Sequence, residues 1–355
     1  MSRLRSFNPL ASMSTALFTL FVSAVVVMYL VLAVRDIDTF VQTMGKSLGL
    51  GATYSLVALG FVLIFKATQV VNFAQGALAM VGALFVSFMV RDGHIPLTTL
   101  SNPIMKIGGP TWVAWFLSVL VALGFAGVLG LIIERVVIRP MVGQPLFSVA
   151  VITLGLETAL RVMANDAVKA EQRAIDSPWG SRGFHIGEAF IAWSYLAAIL
   201  TAAVVFTGIY FFYRSRLGVA MRAVAFDQEA AMVQGINVGQ VFAIAWVLGA
   251  VLAAIGGIFA TQPPIAQTGS VQMETQFIAF RSLPAVILGG LDSVQGALVG
   301  GLIVGLAEIT AGQYLSGQAN ILGAGYPLIV PYVVMIVGLL VRPYGIFGTP
   351  EVRRV

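Results

Sequence analysis

The sequence predicts an all-α polytopic membrane protein of eight to ten transmembrane helices, some of them broken or re-entrant. Three observations lead there. Only 20 Lys+Arg and 15 Asp+Glu occur in 355 residues, a charged share well below the ~25% of soluble domains. Hydrophobic residues make up 59% and mean hydropathy is +0.94, more apolar surface than a soluble globule can hide. The charges also cluster, leaving uncharged runs at 6–34, 47–65, 67–90, 111–133, 140–156, 189–213, 241–273, 293–307 and 309–341. This composition excludes a soluble enzyme, a disordered tail and a disulfide scaffold. The absence of cysteine removes thiolate catalysis and thiolate metal ligation. A net charge of +5 would suggest nucleic acid in a soluble chain. Here it reads as loop sidedness, with no nucleic-acid partner.

Taken in order, Arg3 and Arg5 precede the first run. That run is longer than a secretory signal core, and no small-x-small site precedes Arg35. Residues 1–39 therefore read as an extra N-terminal transmembrane helix before a main domain at 40–355. Most later runs approach the ~20 residues a spanning helix needs. Runs 47–65 and 67–90 are parted only by Lys66, which predicts a tight hairpin there. Run 140–156 spans only if Glu157 and Arg161 enter the membrane or its interface, and their i,i+4 spacing pairs them on one face. Runs this rich in Ala, Leu, Val and Gly form helices, not barrel strands. The stretch 277–312 is irregular: Phe277–Leu291 is short and holds Pro284 and Gly289-Gly290, then Asp292-Ser293 interrupts. Broken helices at membrane depth are buried in protein or line a cavity.

With a cytoplasmic N-terminus, eleven basic residues lie in cytoplasmic loops (Arg3, Arg5, Lys66, Arg135, Arg139, Arg214, Arg216, Arg222, Arg342, Arg353, Arg354). Six lie opposite (Arg35, Arg91, Lys106, Lys169, Arg173, Arg182). The positive-inside rule supports that orientation, with both termini cytoplasmic.

Catalytic signatures are scarce, and the chain reads as a non-enzyme without cofactor or metal. H-E-x-x-H and G-x-S-x-G are absent. Gly45-Lys46-Ser47 ends like a P-loop, but Phe40 occupies its first glycine position and no strand precedes it. Gly289-Gly290-Leu291-Asp292 has Leu291 where an intramembrane aspartyl protease motif needs glycine. His94 and His185 cannot make a zinc site alone. Glu308 stands alone between two uncharged runs. It is either a proton or cation site of a secondary transporter or a structural carboxylate reaching interfacial water. Gly296-x3-Gly300, Gly301-x3-Gly305 and Gly124, Gly127 and Gly130 read as close helix-packing seams, or else as backbone beside a narrow path.

The loop 214–240 carries the most information. Val219 to Val233 has good helix formers with apolar positions at 221, 224, 225 and 232, and Gly235 would end the helix in a left-handed cap. This predicts one short amphipathic helix, either lying on lipid or docking a cytoplasmic protein.

At this loop the chain resembles an ABC-importer permease. Glu229-Ala230-Ala231-x3-Gly235 is similar to the Glu-Ala-Ala-x3-Gly core of the coupling loop. Gly49 to Gly60 followed by Val71-Asn72-Phe73-Ala74-Gln75-Gly76 resembles the first block of branched-chain amino-acid permeases of the LivH family, with Gln75 in a position usually held by histidine. Leu288 to Gly301 resembles the family's glycine-rich block, and Val341-Arg342-Pro343-Tyr344-Gly345-Ile346-Phe347-Gly348 its ending. The resemblance covers roughly 40–355.

It implies the ABC importer permease fold in a bacterial inner membrane. It also implies a second homologous permease, two cytoplasmic ATP-binding subunits and a periplasmic substrate-binding protein as partners. The ligand would be a branched-chain or other small hydrophobic amino acid, with urea, short amides or aromatic carboxylates as alternatives. Arg222, Asp227, Gln228, Glu229, Ala230, Ala231 and Gly235 would form the ATPase-coupling loop. Asn72, Phe73, Gln75, Pro284, Gly289 and Gly290 are candidates for the substrate path. Asn72 and Gln75, at i and i+3, either face the path or hold an unwound turn. Pro284 and Gly289-Gly290 would free carbonyls for a polar ligand. An ion-coupled secondary transporter using Glu308 is the rival from another class.

Overall fold

The computed structural model describes residues 27–92, 111–141, 144–168, 173–263, 265, 269–323 and 325–349. Most of the expected first helix, together with His94, Lys106, Lys169, Arg353 and Arg354, lies outside them. Helix α1 is described over 27–35. Asp36 then turns extended and caps α2, Ile37–Thr68, by accepting hydrogen bonds from the Thr39 backbone and hydroxyl. Those bonds hold the exposed Asp36 carboxyl below its usual range.

Helix α2 has 32 residues and is the axis of the bundle: 89% of its most apolar window is buried. It runs through Lys66, so the expected hairpin at that residue is corrected. The reversal comes at 69–74, where Gln69 takes a left-handed conformation. The chain then re-enters the bundle without helical structure and resumes as α3, Gln75–Ser87, which ends in a π-turn, Phe88–Asp92. Lys66 sits at the helix end with its ammonium 5.1 Å from the Tyr213 ring centroid. A long apolar stem lets the charge reach the end of the bundle, so it does not break the helix.

Helix α4, Thr111–Ile133, continues into the π-turn Glu134–Ile138, and α5, Leu146–Val168, follows. Glu157 and Arg161 are inside α5 and paired at 3.3 Å, as their spacing predicts. Strands β1 (Arg173–Ala174), β2 (Gly183–Ile186) and β3 (Ala189–Ala192) decorate the following connection. β2 and β3 form an antiparallel hairpin. Helix α6 is Trp193–Arg214, α7 Arg216–Phe226, α8 Gln228–Val233 and α9 Val238–Ala260. β4, Ser270–Val271, pairs with β1. Then come α10 (Ile278–Gly289), α11 (Val294–Tyr314), α12 (Ala319–Leu322) and α13 (Tyr326–Val341).

Among the described residues, six helices are long and apolar enough to cross a membrane (α2, α4, α5, α6, α9, α11), and two shorter apolar segments, Gln75–Arg91 and α13, accompany them. The protein is thus a predominantly helical, multi-pass membrane protein with interrupted segments and two small two-stranded sheets.

Small residues set the packing. On α11, Gly301 and Gly305 lie against Ser55 and Gly51 of α2, while Gly296 and Gly300 lie against Gly289 and Ala285 of α10. The two overlapping glycine pairs thus serve two different neighbours. Ser55 also donates across the seam to the Leu298 carbonyl at 3.0 Å. On α4, Gly130 abuts the Trp246 carbonyl of α9, whereas Gly124 faces open space. Close backbone approach supplies the dispersion contacts that replace hydrophobic drive in lipid.

Candidate functional site

The interruption at 69–74, exposed at Gln69 and half-buried at Val71 and Phe73, places Asn72 and Phe73, with Gln75 opening α3 beside them. Asn72 and Gln75 have no exposed surface. The Asn72 side chain accepts from the Ala74 backbone at 3.1 Å and donates to Gln75 Oε1 at 3.1 Å. Gln75 donates in turn to the Gly249 carbonyl of α9 at 3.1 Å. The Phe73 amide donates to the Thr153 hydroxyl of α5 at 3.2 Å. These bonds satisfy backbone groups that water would otherwise serve, so an unwound segment can persist inside the bundle.

Pro284 is buried in α10, where it lacks the amide that would bond the Phe280 carbonyl. The Tyr332 hydroxyl of α13 donates to that carbonyl instead, at 2.8 Å. Gly290 has φ +109, open to glycine alone, and the C-terminal segment packs on it. Ile346 and Phe347 donate to the Leu288 and Gly289 carbonyls at 2.8 and 3.0 Å, and Ser293 donates to Gly290 at 3.0 Å. Thr349 bonds Asp292 beside them. The carbonyls expected to be freed for a ligand are therefore bonded within the chain. The glycine-rich block and the chain's ending form one clasp, set apart from the Asn72–Gln75 turn.

The loop 214–240 folds as two helices, which corrects the single helix expected over Val219–Val233. Asp227 is extended (φ −157, ψ 110) and accepts from the Ala230 amide at 2.9 Å. A capping aspartate offers the backbone an alternative to continuing α7. Ser215 starts α7 in the same way and Asn237 starts α9. Gly235 adopts φ +80, and Ile236 donates back to the Ala231 carbonyl at 3.0 Å, closing α8 in the expected left-handed cap. Met221, Val224 and Ala231 face the bundle. Arg222, Glu229, Ala230 and Gly235 are exposed, as is Asp227, while Gln228 is half-buried. Phe226 and Val233 project at 87% and 85% exposure, too apolar for solvated tips without a partner or lipid.

Two pairings, Glu134 with Arg139 and Tyr54 with Glu308, escaped the sequence reading. Glu134 is fully buried and paired with Arg139 through two contacts of 3.0 and 3.2 Å, and Arg139 also donates to the Gly239 carbonyl at 3.1 Å. The pair ties the end of α4 to the first turn of α9, directly after the loop. Glu308 lies within α11, not at its end. It is 8% exposed and accepts a 2.6 Å hydrogen bond from Tyr54 of α2, 254 residues away. An i,i+5 pair across a helix end was a readable signal for the first. None existed for the second.

A bundle of spanning helices with short apolar half-helices, and a capped loop at the end where Lys66, Arg214 and Arg222 gather, is the architecture of a multi-pass membrane protein. The family described as branched-chain amino acid transport system / permease component matches residues 43–339. The permease LivH of Escherichia coli K12 is 30% identical over 89% of this chain and 98% of its own length. BraD of Pseudomonas aeruginosa is 30% identical over 90% and 99%, and a LivH of Methanocaldococcus jannaschii 28% over 82% and 88%. The chain belongs to this family of permease components.

Proposed function

We propose that the chain is the membrane-spanning subunit of an ATP-driven importer for branched-chain or other small hydrophobic amino acids. It would work with a second related permease, two ATP-binding subunits on the cytoplasmic face and a substrate-binding protein on the other. The carrying observation is full-length kinship with permeases named for that transport, joined to an exposed, doubly capped loop at one end of the bundle. The same end holds Lys66, Arg214, Arg222 and Arg342, which supports its facing the cytoplasm of a bacterial inner membrane.

Closure of the ATPases would move α7–α8 as a body. Ser215, Asp227 and Gly235 fix the loop's corners. The Arg139 bond to Gly239 passes displacement of the loop to α4 as well as α9. The Asn72–Gln75 turn and Pro284 in α10, where bonds from other helices replace intrahelical ones, are the places where helices would shift with the least loss of helical bonding.

Glu229→Lys and Gly235→Pro test the coupling role in the reconstituted complex. Both variants should still assemble while ATP hydrolysis no longer drives uptake. Ligand-stimulated ATPase and uptake at wild-type levels in both would remove the loop from the mechanism. Asn72→Leu should lower transport with binding-protein affinity constant, and wild-type uptake would exclude Asn72 from the path.

A further inference from the structure

A second polar centre lies away from both the unwound turn and the coupling loop. A cavity of about 430 Å³ opens between α2, the end of α9, α10 and α11, within the ~300–1,000 Å³ typical of small-molecule sites. Its polar lining is Ser270, Gln272, Glu274, Thr275, Arg281 and Glu308, and its apolar wall includes Leu50, Ile278 and Ile309. Glu308 sits about 21 Å along α11 from Val294 and about 9 Å from its other end at Tyr314. The Tyr54 hydroxyl fixes Glu308 Oε2, and Oε1 has no hydrogen bond among the described residues. Arg281 is half-buried; it has a side-chain hydrogen-bonding interaction with Tyr54 and a Coulombic one with Glu308, so Tyr54 lies between the two charges. Among the described residues it forms no ion pair within 4.0 Å.

A buried carboxylate and a half-buried guanidinium on one cavity, bridged by Tyr54 and not closed on each other, are costly to keep. A small molecule bearing one positive and one negative group beside an apolar tail satisfies both at once.

We propose that this cavity receives the free α-amino acid during transport. Arg281 takes the α-carboxylate, Glu308 the α-ammonium, and the wall of Leu50, Ile278 and Ile309 the aliphatic side chain. The assignment rests on the importer reading and sharpens it. It requires a zwitterion and so excludes urea, short amides and simple carboxylates as preferred cargo. The exposed Glu274 at the rim is outside the clamp.

The test uses the complete complex in proteoliposomes. ATP-dependent uptake of radiolabelled L-leucine is measured for wild type, Glu308→Gln, Arg281→Gln, Glu274→Gln and Ile309→Trp, with co-purification of the ATPases as the check on assembly. Binding of leucine to the detergent-solubilised complex without the binding protein is measured alongside, with 4-methylpentanoate and isopentylamine as competitors. Glu308→Gln and Arg281→Gln should each weaken leucine binding and uptake at least about tenfold, the loss of one charge-assisted hydrogen bond. Glu274→Gln should stay within about threefold, and Ile309→Trp should block the cavity. Neither competitor, each lacking one charge, should displace leucine. An assembled Glu308→Gln or Ile309→Trp complex that binds and transports like wild type would overturn the assignment, even if Arg281→Gln fails to assemble. Displacement by 4-methylpentanoate as strong as by leucine would do the same. Absence of ATP-dependent uptake of any amino acid by wild type would instead refute the importer reading, and the assignment with it.

Discussion

Gly305→Ala is the sharpest probe of how the bundle holds its site. A Cβ at Gly305 would lie 2.5 Å from both Cα and N of Gly51 and 2.8 Å from the Ser47 carbonyl. All of these are backbone atoms of α2 and cannot rotate away. Reaching ordinary contact at 3.4 Å needs roughly 0.9 Å more room between α2 and α11. Overpacking of this kind costs about 1–3 kcal/mol. The same displacement, one turn from Tyr54 and Glu308, would stretch their 2.6 Å hydrogen bond to about 3.5 Å, beyond useful range. Gly124→Ala is the control, because nothing lies within 4 Å of its Cβ and helix propensity favours alanine by up to ~1 kcal/mol. Unfolding in mixed detergent micelles, followed by circular dichroism, should show the loss for Gly305→Ala and none for Gly124→Ala. Leucine uptake should fall only in the former. Equal stability of the two variants would refute the reasoning that backbone contact at this seam sets the helix spacing.

Further consequences follow from single bonds. Arg139→Ala leaves the buried Glu134 carboxylate unpaired and should destabilise by about 3 kcal/mol; the double variant Glu134→Leu/Arg139→Leu should recover most of that in the same unfolding assay. Tyr332→Phe strips the Phe280 carbonyl of the donor that replaces the missing Pro284 amide and should cost about 1 kcal/mol, read as faster hydrogen exchange in α10. Asp227→Ala removes the cap between α7 and α8, worth ~1 kcal/mol; the Ala230 amide should lose protection while amides in α9 keep theirs.

The features legible in the sequence were those carried by local rules. Charge spacing marked the membrane class, glycine spacing marked the α11 seams, and Gly235 marked the end of α8. Glu157 and Arg161 paired because helical neighbours four apart must meet. The turn at 69–74 was half legible: Asn72 and Gln75, three apart, offered an unwound turn as one reading, but nothing marked its bounds. Gln69 to Ala74 holds neither glycine nor proline, and what stabilises the unwinding is long-range, from Thr153 and Gly249. Lys66 misled for a related reason, since a lone charge at a helix end can snorkel and need not mark a loop. The Asp227 break was masked by strong helix formers on both sides, although Asp before Gln-Glu-Ala is a sound capping signal. Tyr54 and Glu308 are brought together only by the α2–α11 packing, so no local pattern announces them. The carbonyls near Gly290 looked available because their donors, Ile346 and Phe347, are more than fifty residues downstream.

The most direct test of the transport reading is energy dependence of uptake. In proteoliposomes carrying the full complex, leucine, isoleucine and valine should accumulate only with ATP and binding protein, and collapse of the proton gradient should leave the rate unchanged. Accumulation driven by a proton gradient through this chain without ATP would contradict it.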